Sequence, residues 1–206
     1  KEYQVIISQF KLSCDFYKII FPKNHYNKND KKYKSFVEEI KLFKPDIIIS
    51  YFYNKYIGSE IINCANYAFN YHPSLLPNYK GAHAINWQII NGEIKTGVTI
   101  HKLSDKIDSG DILLQESFEI KFDDDVNNVL EKAIILSISL TKKLFLQLKL
   151  DECVYYKQII IGDEFTCKLR KPEHGELKNS MTDNEIYNMI RALVSPWPGA
   201  YYYKNE

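Results

Sequence analysis

Short apolar runs and segments of helical spacing alternate along the chain, and this alternation predicts its fold class. The apolar runs, rich in β-branched residues and typical of strands, occur at 3–8, 46–51, 67–71, 97–102, 112–120 and 154–161. The run at 46–51 reads DIIISY, which suits a strand buried on both faces of a parallel sheet. Strands separated by helices predict an α/β protein, in which ligands bind beyond the carboxyl ends of the strands.

The helical segments have recognisable starts and stops. Apolar spacing predicts a helix within 18–44 that Pro45 ends, a short helix near 58–64, and one over 82–90 that stops at Asn91-Gly92. The longest helix is predicted over 126–148, with Asp123 to Asp125 suited to its positive N-terminus. Thr182, with a glutamate three residues on, predicts a further capped helix, and 195–203 is predicted as a turn followed by a strand.

Composition narrows the class of partner. The 206 residues are 45% hydrophobic and 26% charged, as in an ordinary soluble globular protein. Lysine and arginine together number 27 against 26 acidic residues, so the net charge is only +1. Because no bulk field attracts a polyanion, we expect neither nucleic acid nor a membrane surface as partner.

Several common kinds of site find no support in the motifs. The four cysteines form no C-x-x-C pair, which argues against a zinc knuckle and favours a reducing cytoplasm. No apolar run approaches the roughly 20 residues needed to span a bilayer. The sequence contains no GxGxxG, HExxH or GxSxG pattern, so we expect no bound metal and no acyl-enzyme chemistry.

Asn70 and His72 are the strongest candidates for chemistry. Two residues apart on a predicted strand, they point to the same side of the chain, and Asp108 could join them from a neighbouring strand. A carboxamide can donate to an oxyanion, an imidazole can accept a proton, and a carboxylate can orient it. The alternative is structural: Asn70 caps a turn and His72 is a satisfied, half-buried histidine. Spacing alone leaves both interpretations open.

Three blocks of sequence resemble the formyltransferases that use 10-formyltetrahydrofolate. In order along the chain they read FNYHPSLLPNYKGA at 69–82, GVTIH at 97–101 and IDSGDIL at 107–113. RAL at 191–193 with PWPGA at 196–200 resembles a later segment of the tRNA and sugar branches. The resemblance implies a Rossmann-like, mostly parallel α/β sheet with flanking helices over 1–150, followed by a short, truncated α+β extension over 151–206.

The resemblance also implies roles for particular residues. The family's catalytic asparagine, histidine and aspartate fall on Asn70, His72 and Asp108. The folate is expected beside the loop 52–57 and the aspartate loop, at Phe52, Tyr53, Ile57, Ser109, Gly110, Asp111 and Ile112. The sugar-nucleotide substrate is expected near Ser74, Lys80, His83, Trp87 and Trp197, with Lys80 the best-placed lysine for a diphosphate.

The expected activity is N-formylation of a nucleotide-linked amino sugar, such as dTDP-4-amino-4,6-dideoxyglucose or its 3-amino relative, with 10-formyltetrahydrofolate as co-substrate. The family's opening strand and glycine loop are not recognisable here, and a homodimer contact is one way to compensate for them. Two alternatives stay open: a methionyl-tRNA formyltransferase-like enzyme, against which the short C-terminus and the presence of only two arginines, Arg170 and Arg191, argue, and a non-catalytic folate- or nucleotide-binding remnant.

Overall fold

The computed structural model describes residues 31–53, 57–159, 162 and 164–203. Helices and strands alternate along this part of the chain, as the pattern predicts. In chain order the elements are α1 (Lys31–Phe43), β1 (Ile47–Tyr51), α2 (Ser59–Ile62), β2 (Tyr67–His72), β3 (Lys80–Gly81), α3 (Ala84–Ile90), β4 (Lys95–Lys102), β5 (Ile112–Glu119), α4 (Val126–Leu150), β6 (Thr166–Cys167), a 3-10 turn (Pro172–Gly175) and α5 (Asp183–Ala192).

Four of the strands form one sheet in the order β1-β2-β4-β5. Strands β1 and β2 run parallel, joined by the crossover through α2, whereas β4 runs antiparallel to both β2 and β5. A register shift between Ile100 and His101 interrupts the β4–β5 pairing beside β2. Such a bulge re-aims the side chains at a strand end.

Alternate residues of β1 show that helices cover both faces of the sheet. Ile47 and Ile49 pack toward the core that α4 shares with the sheet, while Ile48 packs against the small core formed by α1 and α2. Since successive side chains of a strand point to opposite faces, the two helical layers lie on opposite sides. The predicted Rossmann-like α/β class is confirmed by this arrangement.

The long helix and the last helix begin at the predicted caps. The Asp125 side chain accepts hydrogen bonds from the backbone N–H groups of Asn127 and Asn128, at 2.8 and 2.9 Å. Thr182 and Glu185 form a reciprocal capping box at the start of α5. These bonds satisfy N–H groups that have no partner inside the helix. Within the described ranges, no helix is both long and apolar enough to cross a bilayer.

Two predicted strands are wrong, and one falls outside the described residues. Between Val154 and Ile159 the chain makes only a single bridge, from Tyr156 to Ile112, and 195–203 contributes only a bridge from Tyr201 to Glu176. The first segment lies beside the edge strand β5 and the second beside Glu176, which belongs to no sheet, so pairing depends on which backbone lies alongside rather than on local pattern. The predicted strand at 3–8 lies outside the described residues.

The end of the chain packs into the same core as the helices before it. Met189, Ala192 and Leu193 lie with Ile85 of α3 and Val129 of α4 in one buried cluster. A separate small sheet, which the sequence did not predict, pairs β3 in parallel with β6. It places the backbone of Thr166 and Cys167 beside the loop that follows β2.

The burial of α4 yields a direct test of the main core. Leu140 is fully buried against the sheet, whereas Leu146 of the same helix is 57% exposed. We expect Leu140→Ala to lower the free energy of unfolding by about 2 to 5 kcal/mol, because it leaves a cavity. Leu146→Ala, with the same change in helix propensity, should cost under about 0.5 kcal/mol in the same urea titration. Equal losses would contradict this packing.

Candidate active site

Strand alternation gathers four polar residues on the sheet face opposite α4. Phe69 and Tyr71 of β2 point into the core shared with α4, so Asn70 and His72 point the other way. Strand β4 pairs with β2 so that His101 lies opposite Asn70 and Thr99 lies opposite His72. A buried polar face results, because all four side chains are almost inaccessible to solvent.

Asp108 reaches this face from the loop after β4. Its Oδ1 accepts a hydrogen bond from Asn70 Nδ2 at 3.1 Å, and its Oδ2 lies 3.4 Å from His72 Nδ1. The backbone N–H of Gly81 donates to the same Oδ2 at 2.8 Å. The structure therefore brings Asn70, His72 and Asp108 together.

The hydrogen bonds of His72 determine which ring nitrogen is free to accept a proton. Nε2 lies 2.7 Å from the carbonyl oxygen of Tyr79, so Nε2 carries the hydrogen and donates it. Burial lowers the pKa of His72 below its ordinary value, and the nearby Asp108 charge only partly offsets that effect. The neutral ring therefore directs the lone pair of Nδ1 toward Asp108.

Asp108 stays ionised in spite of its burial. Burial alone would raise the pKa of its carboxyl group, but the hydrogen bond with His101, the proximity of His72 and the Gly81 N–H together lower the pKa to about 2. A permanent negative charge next to Nδ1 favours protonated His72. The pair is thus suited to receive a proton during a reaction and to stabilise the cation that forms.

Asn70 Nδ2 contacts two groups within the site. Besides the bond to Asp108, Nδ2 lies 3.2 Å from His101 Nε2. His101 Nδ1 donates to the Lys102 carbonyl at 2.8 Å, and its Nε2 faces both Asn70 Nδ2 and, at 3.4 Å, Asp108 Oδ1. Among the described residues, Asn70 Oδ1 is buried and has no hydrogen-bond partner. A half rotation of the amide would break both Nδ2 contacts and place Oδ1 against the ionised Asp108 carboxylate, so the observed orientation is the favoured one.

The loop that carries Asp108 is held by close backbone contacts. Asp108 has a left-handed φ of 47°, and a Cβ added at Gly110 would lie 1.9 Å from the Lys102 carbonyl oxygen. Only glycine fits there. The Gln158 side-chain amide donates to the carbonyls of Asp108 and Gly110, both at 2.8 Å. Gln158 therefore fixes the loop from the C-terminal part of the chain.

A cleft of about 470 Å³ opens beside the Asp108–Gly81 contact. Lys80 lies in its wall, where its ammonium is 2.7 Å from Glu164 Oε1. Their side chains are only 12% and 16% exposed, so solvent screens this ion pair weakly. The cleft is lined by Lys80, Gly81, Ala82, Ile107, Ser109, Glu164, Thr166, Cys167 and Leu169.

The other residues predicted to bind substrate have different surroundings. Ser74 is fully buried and donates to the Asn78 carbonyl at 2.7 Å, which holds the loop after β2. His83 lies edge-on to Trp197, with ring centres 4.7 Å apart. Trp87 donates its indole N–H to the Lys168 carbonyl at 2.8 Å. Trp87 and His83 both contact the segment 168–170 next to the cleft, and Trp197 packs on His83, whereas Ser74 supports the backbone of the loop after β2.

The residues predicted to bind folate lie in two loops. Phe52, with a left-handed φ of 46°, follows β1 and stacks its ring on Tyr51, with ring centres 4.2 Å apart. Tyr53 is half-buried, and Ile57 packs with the α1–α2 core. Ser109, Gly110, Asp111 and Ile112 directly follow Asp108, and the exposed Lys157 pairs with Asp111 at 3.1 Å. Their part in binding stays a prediction.

Comparison with known proteins identifies the family. A family model described as formyl transferase matches residues 11–136, more than half of the chain. The chain belongs to the formyl transferase family.

The matched relatives are longer than this formyltransferase chain. It is 36% identical over 191 residues to the bifunctional polymyxin resistance protein ArnA of Wigglesworthia glossinidia brevipalpis, covering 90% of this chain but only 27% of ArnA. A 4-N formyltransferase from Francisella tularensis shares the fold, with a TM-score of 0.69 and 23% identity over 82% of this chain and 69% of that one.

A second solved relative carries ligands. The N-formyltransferase of Helicobacter canadensis, in complex with folinic acid and dTDP-3-aminofucose, is 29% identical with a TM-score of 0.57. The match covers 64% of the formyltransferase chain and 49% of that protein.

Sequence reasoning missed several groups at the formyltransferase site. His101 contacts both Asn70 and Asp108, yet only its place in the GVTIH block, two residues from Thr99, pointed to that face. The Tyr79 carbonyl is turned toward His72 by a left-handed φ of 62°, which no local motif indicates. Gln158 lies 50 residues from Asp108 along the chain, and only the tertiary fold brings them together.

The buried imidazole predicts a pH dependence of stability. Above its ordinary pKa of 6.5, His72 is neutral in both the folded and the unfolded chain. As the pH falls below 6.5, the unfolded chain takes up a proton that the folded chain resists, so the free energy of unfolding decreases. Between pH 8 and 5, we expect urea titrations of His72→Gln to show a smaller decrease than wild type.

His174→Gln is the matched control for this measurement. His174 is exposed, so its replacement should leave the wild-type slope in place. Part of the slope persists in both variants because burial also lowers the pKa of His83. An undiminished slope in His72→Gln would contradict the lowered pKa of His72.

Proposed function

We propose that this chain is the catalytic part of an N-formyltransferase that moves a formyl group from 10-formyltetrahydrofolate to the amine of a nucleotide-linked amino sugar. The observation that carries the proposal is the convergence of Asn70, His72 and Asp108 on one buried sheet face beside an open cleft. A carboxamide donor, a neutral imidazole and an ionised carboxylate are the groups that formyl transfer to an amine requires.

The relatives support the substrate class. The Helicobacter canadensis protein, with 29% identity, is in complex with folinic acid and dTDP-3-aminofucose, and the Francisella tularensis relative is a 4-N formyltransferase. We carry the class over to this chain as a dTDP-linked amino sugar, either 4-amino-4,6-dideoxyglucose or its 3-amino relative. The chain spans about a quarter of ArnA, so further activities of a longer protein lie outside this proposal.

In the proposed reaction, the neutral amine of the sugar attacks the formyl carbon. A C–N bond forms, negative charge develops on the formyl oxygen, and Asn70 Nδ2 donates a hydrogen bond to that oxygen. In this structure Nδ2 contacts Asp108 Oδ1 at 3.1 Å and His101 Nε2 at 3.2 Å, so the bond to the formyl oxygen replaces one of these contacts. A donor already held in a buried site needs little reorganisation as the charge develops.

His72 receives the proton that the amine loses. With Nε2–H bonded to the Tyr79 carbonyl, only Nδ1 can accept it, and the imidazolium that forms then donates from Nδ1 to Asp108. The bond between the formyl carbon and N10 of the folate breaks, and the proton passes to that nitrogen. Because burial lowers the pKa of His72, the ring returns readily to its neutral form.

We propose that the co-substrate binds at the two loops near this face. The backbone at Gly110 packs against the Lys102 carbonyl more closely than any side chain at 110 would allow, and Phe52 turns the chain at the end of β1. We propose that Phe52, Tyr53 and Ile57 on one side, and the residues Ser109 to Ile112 on the other, hold the folate through backbone groups and apolar contact.

The function is tested by offering several amines with 10-formyltetrahydrofolate. We expect mass spectrometry to detect a gain of one formyl group on dTDP-4-amino-4,6-dideoxyglucose or its 3-amino relative, and none on charged initiator tRNA. Formylation of the tRNA alone would replace the sugar assignment. Folate binding without formylation of any amine would indicate a non-catalytic folate-binding protein.

The role of Asn70 is tested by its replacement with alanine. Loss of one donor to a developing oxyanion typically costs about 10² to 10³ in rate, so Asn70→Ala should lose most single-turnover formylation while still binding folate. Asn66→Ala, an exposed asparagine just before β2, should react like wild type. A wild-type rate in Asn70→Ala would refute its role.

A further inference from the structure

Arg170 has a half-buried positive charge that no acidic group balances among the described residues. Its Nη2 donates to the His174 carbonyl and contacts the Met189 sulfur at 3.6 Å, and its guanidinium lies 4.8 Å from the centre of the Trp87 ring. Its Nε is buried without a hydrogen-bond partner. A carbonyl, a thioether and an indole face are neutral, so the charge itself stays uncompensated.

His83 adds a second donor at the same place. Its Nδ1 accepts the backbone N–H of Arg170 at 3.2 Å, which leaves the hydrogen of the neutral ring on Nε2. Burial and the charge of Arg170 both lower the pKa of His83, so the neutral form prevails near pH 7. Among the described residues, no hydrogen bond is made by Nε2. Arg170 thus contributes a guanidinium, and the His83 ring bonded to its backbone contributes an N–H donor.

Lys80, in contrast, already has a counter-ion. Its ammonium is 2.7 Å from Glu164 in a poorly exposed pair, and a third charge entering there would have to displace or oppose Glu164. The sequence favoured Lys80 as the group for a diphosphate. The charge pairing in the structure favours Arg170, whose planar fork also matches phosphate geometry.

The position of Arg170 relative to the catalytic face suits a sugar nucleotide. Gly81, whose N–H contacts Asp108, pairs with Cys167, and Arg170 lies three residues further along. Three residues of extended chain span about 10 Å at most, the scale of a hexose with its attached phosphate. An amine at Asp108 and a phosphate at Arg170 can therefore belong to one ligand.

We propose that Arg170 and His83 bind the diphosphate of the nucleotide-linked substrate, between the aromatic rings of Trp87 and Trp197. The proposal rests on the proposed function for its ligand class. It adds the residues that bind the diphosphate, which a nucleotide-linked sugar has and a free sugar lacks. Arginine stacked on an aromatic ring loses little freedom when it forms a bidentate bond with phosphate.

Intrinsic fluorescence provides the binding test, because Trp87 and Trp197 are the two tryptophans of the sequence. We expect dTDP and inorganic pyrophosphate to change the emission of the whole chain saturably, and thymidine to have no effect at the same concentrations. Arg170→Gln should weaken dTDP binding by about 10- to 100-fold. Arg170→Lys should weaken it by less, because lysine keeps the positive charge but lacks the planar guanidinium that makes two parallel hydrogen bonds. Lys168→Gln, which removes an exposed charge two residues away, should bind like wild type.

Two results would overturn the proposal: equal dTDP affinity in Arg170→Gln and wild type, or binding of thymidine as tight as that of dTDP. The comparison of ligands on wild type needs no variant, so it tests recognition of the diphosphate even if Arg170→Gln fails to fold, and Arg170→Lys then tests the residue. Thermal unfolding of each variant checks for that failure.

Formylation assays separate this proposal from the proposed function. With wild type, transfer to a dTDP-amino sugar tests the function alone, whatever Arg170 does. In Arg170→Gln, we expect KM for the dTDP-amino sugar to rise by about 10- to 100-fold with little change in kcat, and the slow reaction of the phosphate-free amino sugar to stay unchanged. If dTDP binding depends on Arg170 but no amine is formylated, the proposed formyltransferase function is refuted and the diphosphate-binding role of Arg170 is supported.

Discussion

The buried carboxylate of Asp108 is the constraint around which the site is organised. An ionised carboxylate removed from water must be surrounded by donors or positive charge, and the fold supplies Asn70 from β2, Gly81 from β3 and His101 from β4. These partners come from separate elements, so the strands must hold their register for the charge to be tolerated. The cost of leaving that carboxylate without partners therefore links the chemistry to the stability of the sheet.

Hydrogen bonds made by the loop after β2 fix the state of the His72 imidazole. Thr99 donates to the Ser74 carbonyl at 2.6 Å, and Gln115 donates to the Leu76 carbonyl at 3.0 Å, so the loop is bonded to β4 and β5. Its far end turns the Tyr79 carbonyl toward His72 and thereby decides which ring nitrogen holds the hydrogen. The proton-accepting atom is thus set by packing several residues away from it.

Charge pairing divides the cations near the cleft into two kinds. Lys80 is neutralised by Glu164, and together they form a polar wall that tolerates burial. Arg170 is surrounded by neutral groups, on an aromatic face, and keeps its charge. Lys80 lies in β3 and Arg170 lies three residues after its partner strand β6, yet their charges have different surroundings.

The sequence alone determined the family, the α/β class and the side of β2 on which Asn70 and His72 lie, since a two-residue spacing fixes the face of a strand. It also located the caps at Asp125 and Thr182, because capping chemistry is local. Only the tertiary structure decided that His101 and Gln158 contact the Asp108 loop, that Lys80 is paired and that Arg170 is not. Those contacts join residues distant along the chain, and whether two such groups meet depends on packing and register rather than on local pattern.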